Sequence, residues 1–140
     1  MEINVKQDCT GVNWSAVSDT LKIVGMAYYE PDAHRRAFEA SYTTVFMYHN
    51  GQLVGFGRAI SDGVYQAAIY DCAVLPEFQG KGLGSTLMKK LLAQIADCNV
   101  ILYASPGKEG FYQKEGFRKM KTGMAYFKNR ESMKERGFTE

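Results

Sequence analysis

The sequence predicts a single mixed α+β domain over residues 1–140: a central, mostly antiparallel sheet, flanking helices and one βαβ unit. Three observations carry that prediction. From Tyr42 to Leu75 the apolar pattern has strand character and is cut by two tight-turn dipeptides, Asn50-Gly51 and Asp62-Gly63. Glycines 80, 82 and 84 then separate a proline-terminated strand from a long stretch with apolar positions at helical spacing. The almost wholly apolar run Val100 to Ala104 follows, so strand, glycine turn, helix and strand form a right-handed crossover between parallel strands.

The elements follow in order. Ile3, Val5 and Gln7 alternate with polar neighbours and read as a short first strand. Asn13 or Ser15 caps a helix with Val17, Leu21 and Val24 on one face, ending near Gly25. Pro31-Asp32 opens a second short helix carrying Ala33, Ala37 and Phe38. Strands are expected at Thr44 to Tyr48, Leu53 to Ile60 and Tyr65 to Leu75, where Pro76 stops the ladder for want of an N–H. A helix over Ser85 to Asp97 presents Leu87, Met88, Leu91, Leu92, Ile95 and Ala96. Val100 to Ala104 is expected as a strand buried on both faces. A short helix from Gly107 to Glu115 ends at Gly116, and Phe117 to Phe127 reads as a closing hairpin. The charged tail from Lys128 is expected as a solvated helix or a frayed end.

Composition narrows the function. The net charge of +2 arises from 17 basic and 15 acidic residues spread along the chain, which gives no field suited to nucleic acid or an anionic membrane. Cys9, Cys72 and Cys98 form no Cys-x-x-Cys pair, so no disulfide framework or zinc knuckle is indicated, and no metal is expected. Neither an N-terminal signal nor a membrane-length apolar run is read, so a cytoplasmic location is expected.

The chemistry concentrates at Gln79-Gly80-Lys81-Gly82-Leu83-Gly84. Glycines here leave backbone N–H groups uncovered, and the following helix adds its positive N-terminal dipole. Together they suit an anion such as a pyrophosphate, with Lys81 as a mobile charge at the rim. The plainer alternative is a tight strand-to-helix turn and nothing more. The pattern is neither a Rossmann fingerprint nor a Walker sequence.

Val74-Leu75-Pro76-Glu77-Phe78-Gln79-Gly80-Lys81-Gly82-Leu83-Gly84 resembles the Gln/Arg-x-x-Gly-x-Gly motif of the GNAT superfamily of N-acetyltransferases, with its Val-x-Pro lead-in. Gly110-Phe111-Tyr112-Gln113-Lys114-Glu115-Gly116-Phe117 resembles the Phe-Tyr-x-Lys-x-Gly-Phe signature of the same family. The resemblance is close over residues 70 to 117 and extends to the order of elements elsewhere.

It implies the GNAT fold, in which the strand ending at Pro76 would splay from its neighbour through a bulge and open a βαβ site for acetyl-CoA, the acetyl donor and cosubstrate. Backbone groups of Gln79, Gly80, Lys81, Gly82, Leu83, Gly84 and Ser85 would hold the CoA pyrophosphate. Those of Cys72, Ala73 and Val74 would line the pantetheine arm, an N–H near Val74 polarising the thioester carbonyl. Tyr112 would protonate the departing thiolate; the alternative is a half-buried helix aromatic. Ser105 stands where many relatives carry an asparagine on the pantetheine, and would either keep a weaker contact or cap the helix after Pro106.

Asp71 is a carboxylate in mid-strand, costly unless paired or functional. It is a candidate proton acceptor or substrate anchor, or one half of a core ion pair, and the glutamate that relatives often carry one position earlier is here Tyr70. On the acceptor side the resemblance points to Met26, Tyr28, Tyr29, Phe38, Met124 and Tyr126, a set suited to an aryl- or alkylamine, unless these are core residues. Glu30 and Asp32 are candidates for pairing an amine cation, or are solvated. His34 and His49 read as surface or turn residues, and Cys72 as a small core residue in preference to an acyl-accepting nucleophile.

The reading reached is N-acetyl transfer from acetyl-CoA to a primary amine of a small molecule, by direct attack in a ternary complex. Acetylation of a protein N-terminus or lysine, and a non-catalytic acyl-CoA-binding module, remain the alternatives. Pairing of a last strand, Ala125 to Lys128, with a second copy would give a homodimer.

Overall fold

The computed structural model describes all 140 residues, in two units, Met1–Leu102 and Tyr103–Glu140. The first unit contains β1 (Asn4–Lys6), α1 (Trp14–Ile23), α2 (Pro31–Glu39), β2 (Thr43–His49), β3 (Gln52–Ser61), β4 (Gln66–Val74), a 3-10 turn at Pro76–Phe78, α3 (Leu83–Gln94) and β5 (Asn99–Ile101). The sheet is five-stranded in the order β1-β2-β3-β4-β5. All neighbours are antiparallel except β4 and β5, which run parallel as the crossover requires. The second unit carries α4 (Glu109–Lys114) and α5 (Arg130–Glu135).

Local chemistry sets these bounds. The Asn13 side chain accepts from the Ala16 N–H at 3.1 Å, so Asn13 and not Ser15 caps α1. Asn50 and Gly51 both have positive φ, 49° and 77°, the type I′ geometry that joins β2 to β3 without splaying them. Asp62 Oδ1 accepts from the N–H groups of Val64, Tyr65 and Gln66, closing the next turn.

Alternation along β3 sends side chains to opposite faces of the sheet. One face packs Phe46 and Phe56 against Phe38 of α2 and Trp14 of α1, with ring centroids 5.6 to 6.0 Å apart. Val17, Leu21 and Leu53 complete this cluster. On the other face α3 comes down on Gly57, where an added Cβ would lie 2.8 Å from Cys72 Sγ and 3.1 and 3.3 Å from the Leu91 and Leu87 methyls. We expect Gly57→Ala to cost about 1–3 kcal/mol through overpacking. Cys72→Ala in the same chain should recover part of that loss, since the sulfur is the nearest obstacle. Urea unfolding of the single and double variants checks this, and an unchanged midpoint for Gly57→Ala would refute the packing argument.

The structure corrects several expectations. Helix α3 starts at Leu83, because left-handed Gly82 (φ 84°) turns the chain directly into it, and it ends at Gln94, where Ile95 leaves helical geometry. β5 is shorter than expected and is not buried on both faces: Ile101 is 51% exposed, and the strand has a partner on one side only. Phe117 to Phe127 forms no strands. Met124 and Tyr126 there are 96% and 78% exposed, so the segment buries too little to fix a ladder, and the strand expected at Ala125 to Lys128 is absent. The tail is helical, as α5, with Met133 buried. No helix is long and apolar enough to cross a membrane.

Candidate active site

The site begins with a fault in β4. Phe56 faces Ala73 and Arg58 faces Tyr70, so Asp71 and Cys72 together oppose Gly57 alone. This is a β-bulge. Asp71 absorbs the extra residue in the left-handed region at φ 57°. On its other edge β4 pairs with β5 only through Gln66, Ala67 and Ala68. Ile69 to Val74 have no strand partner on that side, which leaves an edge of peptide groups able to accept an extended ligand as a further strand.

That edge leads into the glycine turn. Gln79 folds back so that Nε2 donates to the Val74 carbonyl at 2.9 Å, tying the turn to the end of β4. Gly80 and Gly82 have φ 76° and 84°, and a Cβ at either would meet nothing within 4 Å. The turn is therefore glycine-rich for backbone conformation, and the space above it is open. The N–H groups of Gly80 through Ser85 donate to no acceptor of the chain. No side chain caps α3, and its first turn holds no acidic residue, so no charge of the protein's own competes for the helix dipole. Lys81 Nζ rests 5.6 Å over the Phe78 ring at the rim. Successive free donors, a helix N-terminus and an ammonium on the same turn are the features by which a protein can cradle an anion.

The bulge also gathers charge on the α1–α2 face. Arg58 Nε donates to Asp71 Oδ2 at 2.7 Å, with side chains 15% and 23% exposed. The guanidinium lies 5.6 Å over Phe38 and 5.5 Å over Tyr70. Near this pair His34 is buried at 3% exposure, and its Nε2 accepts the Tyr29 N–H at 2.9 Å. Ser18 Oγ donates to the Tyr29 carbonyl, so the backbone of the α1–α2 loop is held on both sides. Tyr28 and Tyr29 remain 49% and 65% exposed.

Accordingly His34 is a core residue and not a surface one. Burial holds its pKa below the usual 6.5, with the charge of Asp71 opposing and that of Arg58 reinforcing the shift. A neutral ring is what the bond from Tyr29 requires. Phe38, expected on the acceptor wall, is 1% exposed and belongs to the aromatic core. Asp32 is engaged by Arg35 and Arg36 within its own helix. Burial raises the Cys72 thiol to about 12, which leaves it protonated and unsuited to nucleophilic attack. His49 meets the Phe78 ring edge-on at 5.6 Å.

No role is assigned to Arg58 or to the side chain of Gln79 from the sequence. A charged residue amid Leu53 to Ile60 carries the same signal that singled out Asp71. Nothing in the sequence marks the reach of Gln79 back to Val74. A separate opening of about 420 Å³, lined in part by Gln7, Asp8, Cys9 and Glu39, holds none of the cradle residues.

In the second unit the tyrosine signature is one short helix and its end. Tyr112 sits half-buried in α4, its ring 5.1 Å from Phe111 and 6.0 Å from Phe117. Gly116 (φ 98°) reverses the chain, and the Phe117 N–H closes onto the Tyr112 carbonyl at 3.0 Å. Ser105 does not cap α4 with its side chain: its carbonyl accepts from the Lys108 N–H, and Glu109 Oε1 takes the Gly107 N–H. The exposed Tyr126 ring lies beneath Arg130 and Lys128, at 4.8 and 5.4 Å.

Comparison with known proteins agrees with this geometry. The family model described as an acetyltransferase (GNAT) domain matches residues 15–129. Serotonin N-acetyltransferase 2, chloroplastic, of Oryza sativa subsp. japonica is 33% identical over 140 residues, covering 92% of this chain and 70% of that protein. The uncharacterised N-acetyltransferase ycf52 of Pyropia yezoensis is 40% identical over 78 residues, covering 54% of this chain but only 45% of its own length. A solved structure from Staphylococcus aureus superposes with a TM-score of 0.82 at 27% identity, over 91% of this chain and 99% of that one. With that family model over residues 15–129 and a relative 33% identical across 92% of its length, the chain belongs to the GNAT family of acetyl-CoA-dependent N-acetyltransferases.

Proposed function

We propose that the protein transfers the acetyl group of acetyl-CoA to a primary amine of a small molecule, an arylalkylamine or alkylamine, by direct attack in a ternary complex. The observation that carries the donor half is the row of unpaired N–H groups from Gly80 to Ser85 beside the open edge of β4. In this reading the row holds the pyrophosphate of the donor, and the Cys72-Ala73-Val74 edge aligns its arm. The exposed Tyr28 and Tyr29 rings, on a loop fixed by His34 and Ser18, supply apolar contact for the amine. Support for an aromatic amine comes from the rice relative, whose name specifies serotonin.

The chemistry is one substitution. The amine nitrogen bonds to the acetyl carbon, the carbon–sulfur bond breaks, and the thiolate takes a proton from the Tyr112 phenol. Asp71 Oδ1, directly or through water, accepts the proton that the amine loses. The Cys72 thiol is not the nucleophile, since burial keeps it protonated.

Thiol release in the presence of acetyl-CoA tests this, using a panel of arylalkylamines, alkylamines, polyamines and lysine-containing peptides. Turnover highest on an arylalkyl- or alkylamine supports the proposal. Turnover confined to peptides would replace the acceptor class, and a chain that binds acetyl-CoA but acetylates nothing would be a binding module.

A further inference from the structure

We propose that Arg58 is a positioning residue for the acceptor side, holding the Asp71 carboxylate at the β4 bulge so that one of its oxygens stays available to the amine. The inference rests on the reading of Asp71 as an acceptor-side group.

Asp71 occupies a backbone conformation, φ 57°, that L residues seldom adopt and that persists only where the surroundings enforce it. Arg58 is the group placed to enforce it. Its backbone is in β3, in register with Tyr70 next to the bulge. Its guanidinium is held between the Phe38 and Tyr70 rings, and Nη1 donates to Ser41 Oγ at 3.3 Å. Ser41 Oγ in turn donates to the Ala37 carbonyl, which ties the arginine to the end of α2. A guanidinium fixed on so many sides presents its Nε–H in one direction, and Asp71 Oδ2 lies along it at 2.7 Å.

The pairing engages a single oxygen. A fork-on-fork arrangement would have consumed both carboxylate oxygens. Here Asp71 Oδ1 makes no hydrogen bond within the chain, and the side chain keeps 23% of its exposure. The arginine also offsets the carboxylate's charge. An amine is therefore oriented by Oδ1 as a hydrogen-bond donor, without being trapped as a tightly paired ammonium ion.

The test compares wild type, Arg58→Met, Asp71→Gly and the double variant. Glycine at 71 accepts the left-handed φ without strain, so Asp71→Gly removes the carboxylate and keeps the bulge. The readouts are kcat/KM for the best amine of the panel and the dissociation constant of acetyl-CoA. Arg58→Met should lower kcat/KM by roughly 10- to 100-fold, the worth of a charged hydrogen bond, with acetyl-CoA affinity within about twofold of wild type. In the Asp71→Gly background the same change should cost less than about threefold, because its target is gone. Arg58→Lys, which keeps a cation but loses the fixed direction, should fall between, and it provides the same comparison if Arg58→Met fails to fold.

An equal loss from Arg58→Met in both backgrounds, or a proportional loss of acetyl-CoA binding, would make Arg58 structural and overturn the proposal. If Asp71→Gly is harmful and Arg58→Met is not, the role of Asp71 survives and that of Arg58 falls. If Asp71→Gly is harmless, the acceptor-side reading of Asp71 fails first.

Discussion

Gly82→Glu will abolish acetyl-CoA binding while leaving the protein folded. An added Cβ at Gly82 meets nothing within 4 Å, so sterics do not oppose the change. The left-handed φ of 84° costs an L residue about 1–2 kcal/mol, and a carboxylate at the uncapped N-terminus of α3 returns about 0.3–1 kcal/mol through the helix dipole. The fold should thus lose little. On the proposed function the donor faces a different environment: a negative charge placed among the N–H groups assigned to its phosphates, which both repels it and occupies the donors. We expect affinity to fall at least about 100-fold, a loss on the order of 2.7 kcal/mol. In thermal unfolding with excess acetyl-CoA, wild type should be stabilised and Gly82→Glu should not. Gly82→Ala shares the strain without the charge and should retain most of the binding. Full stabilisation of Gly82→Glu by acetyl-CoA would place the donor elsewhere and remove the basis of the proposed function.

The parts of this architecture that were legible in the sequence are those written in local chemistry. Asn50-Gly51 and Asp62-Gly63 define turns through φ and through an Asx side chain, and both form as expected. Pro76 and Gly82 bound a strand and a helix by what their backbones allow. The conformation of the turn at Gly80 and Gly82 was readable for the same reason, since only the glycine backbone is involved. What was not legible depends on distant partners. His34 looks like a turn histidine until α2 folds onto the sheet and Tyr29 comes to rest on its Nε2. The bulge at Asp71 depends on a register shift against β3, so it was expected only through the family resemblance and not from any pattern within β4. Phe117 to Phe127 has the apolar content of strands, but strands need a ladder partner, and Met124 and Tyr126 remain in solvent instead. Local rules gave the glycine turn its shape; the packing around Asp71 and His34 waited on tertiary contacts.

Tyr112→Phe should lower kcat by about 100-fold, within the range ascribed to a positioned acid, and leave acetyl-CoA affinity within about twofold. The substitution removes one hydroxyl and keeps the ring that packs on Phe111 and Phe117, so α4 and its Gly116 end should persist. Unchanged stability together with a large kcat loss would separate catalysis from packing. A further comparison identifies the proton's destination. If the phenol protonates the departing thiolate, its value depends on how poor a leaving group that thiolate is. An acetyl thioester of a more acidic thiol needs less help, so the Tyr112→Phe deficit should shrink with such a donor, provided it still enters the site. A deficit of the same size with both donors would mean that Tyr112 acts on the amine or on substrate alignment instead. A deficit below about threefold with acetyl-CoA itself would return Tyr112 to the role of a half-buried aromatic, leaving the thiolate to be protonated by water.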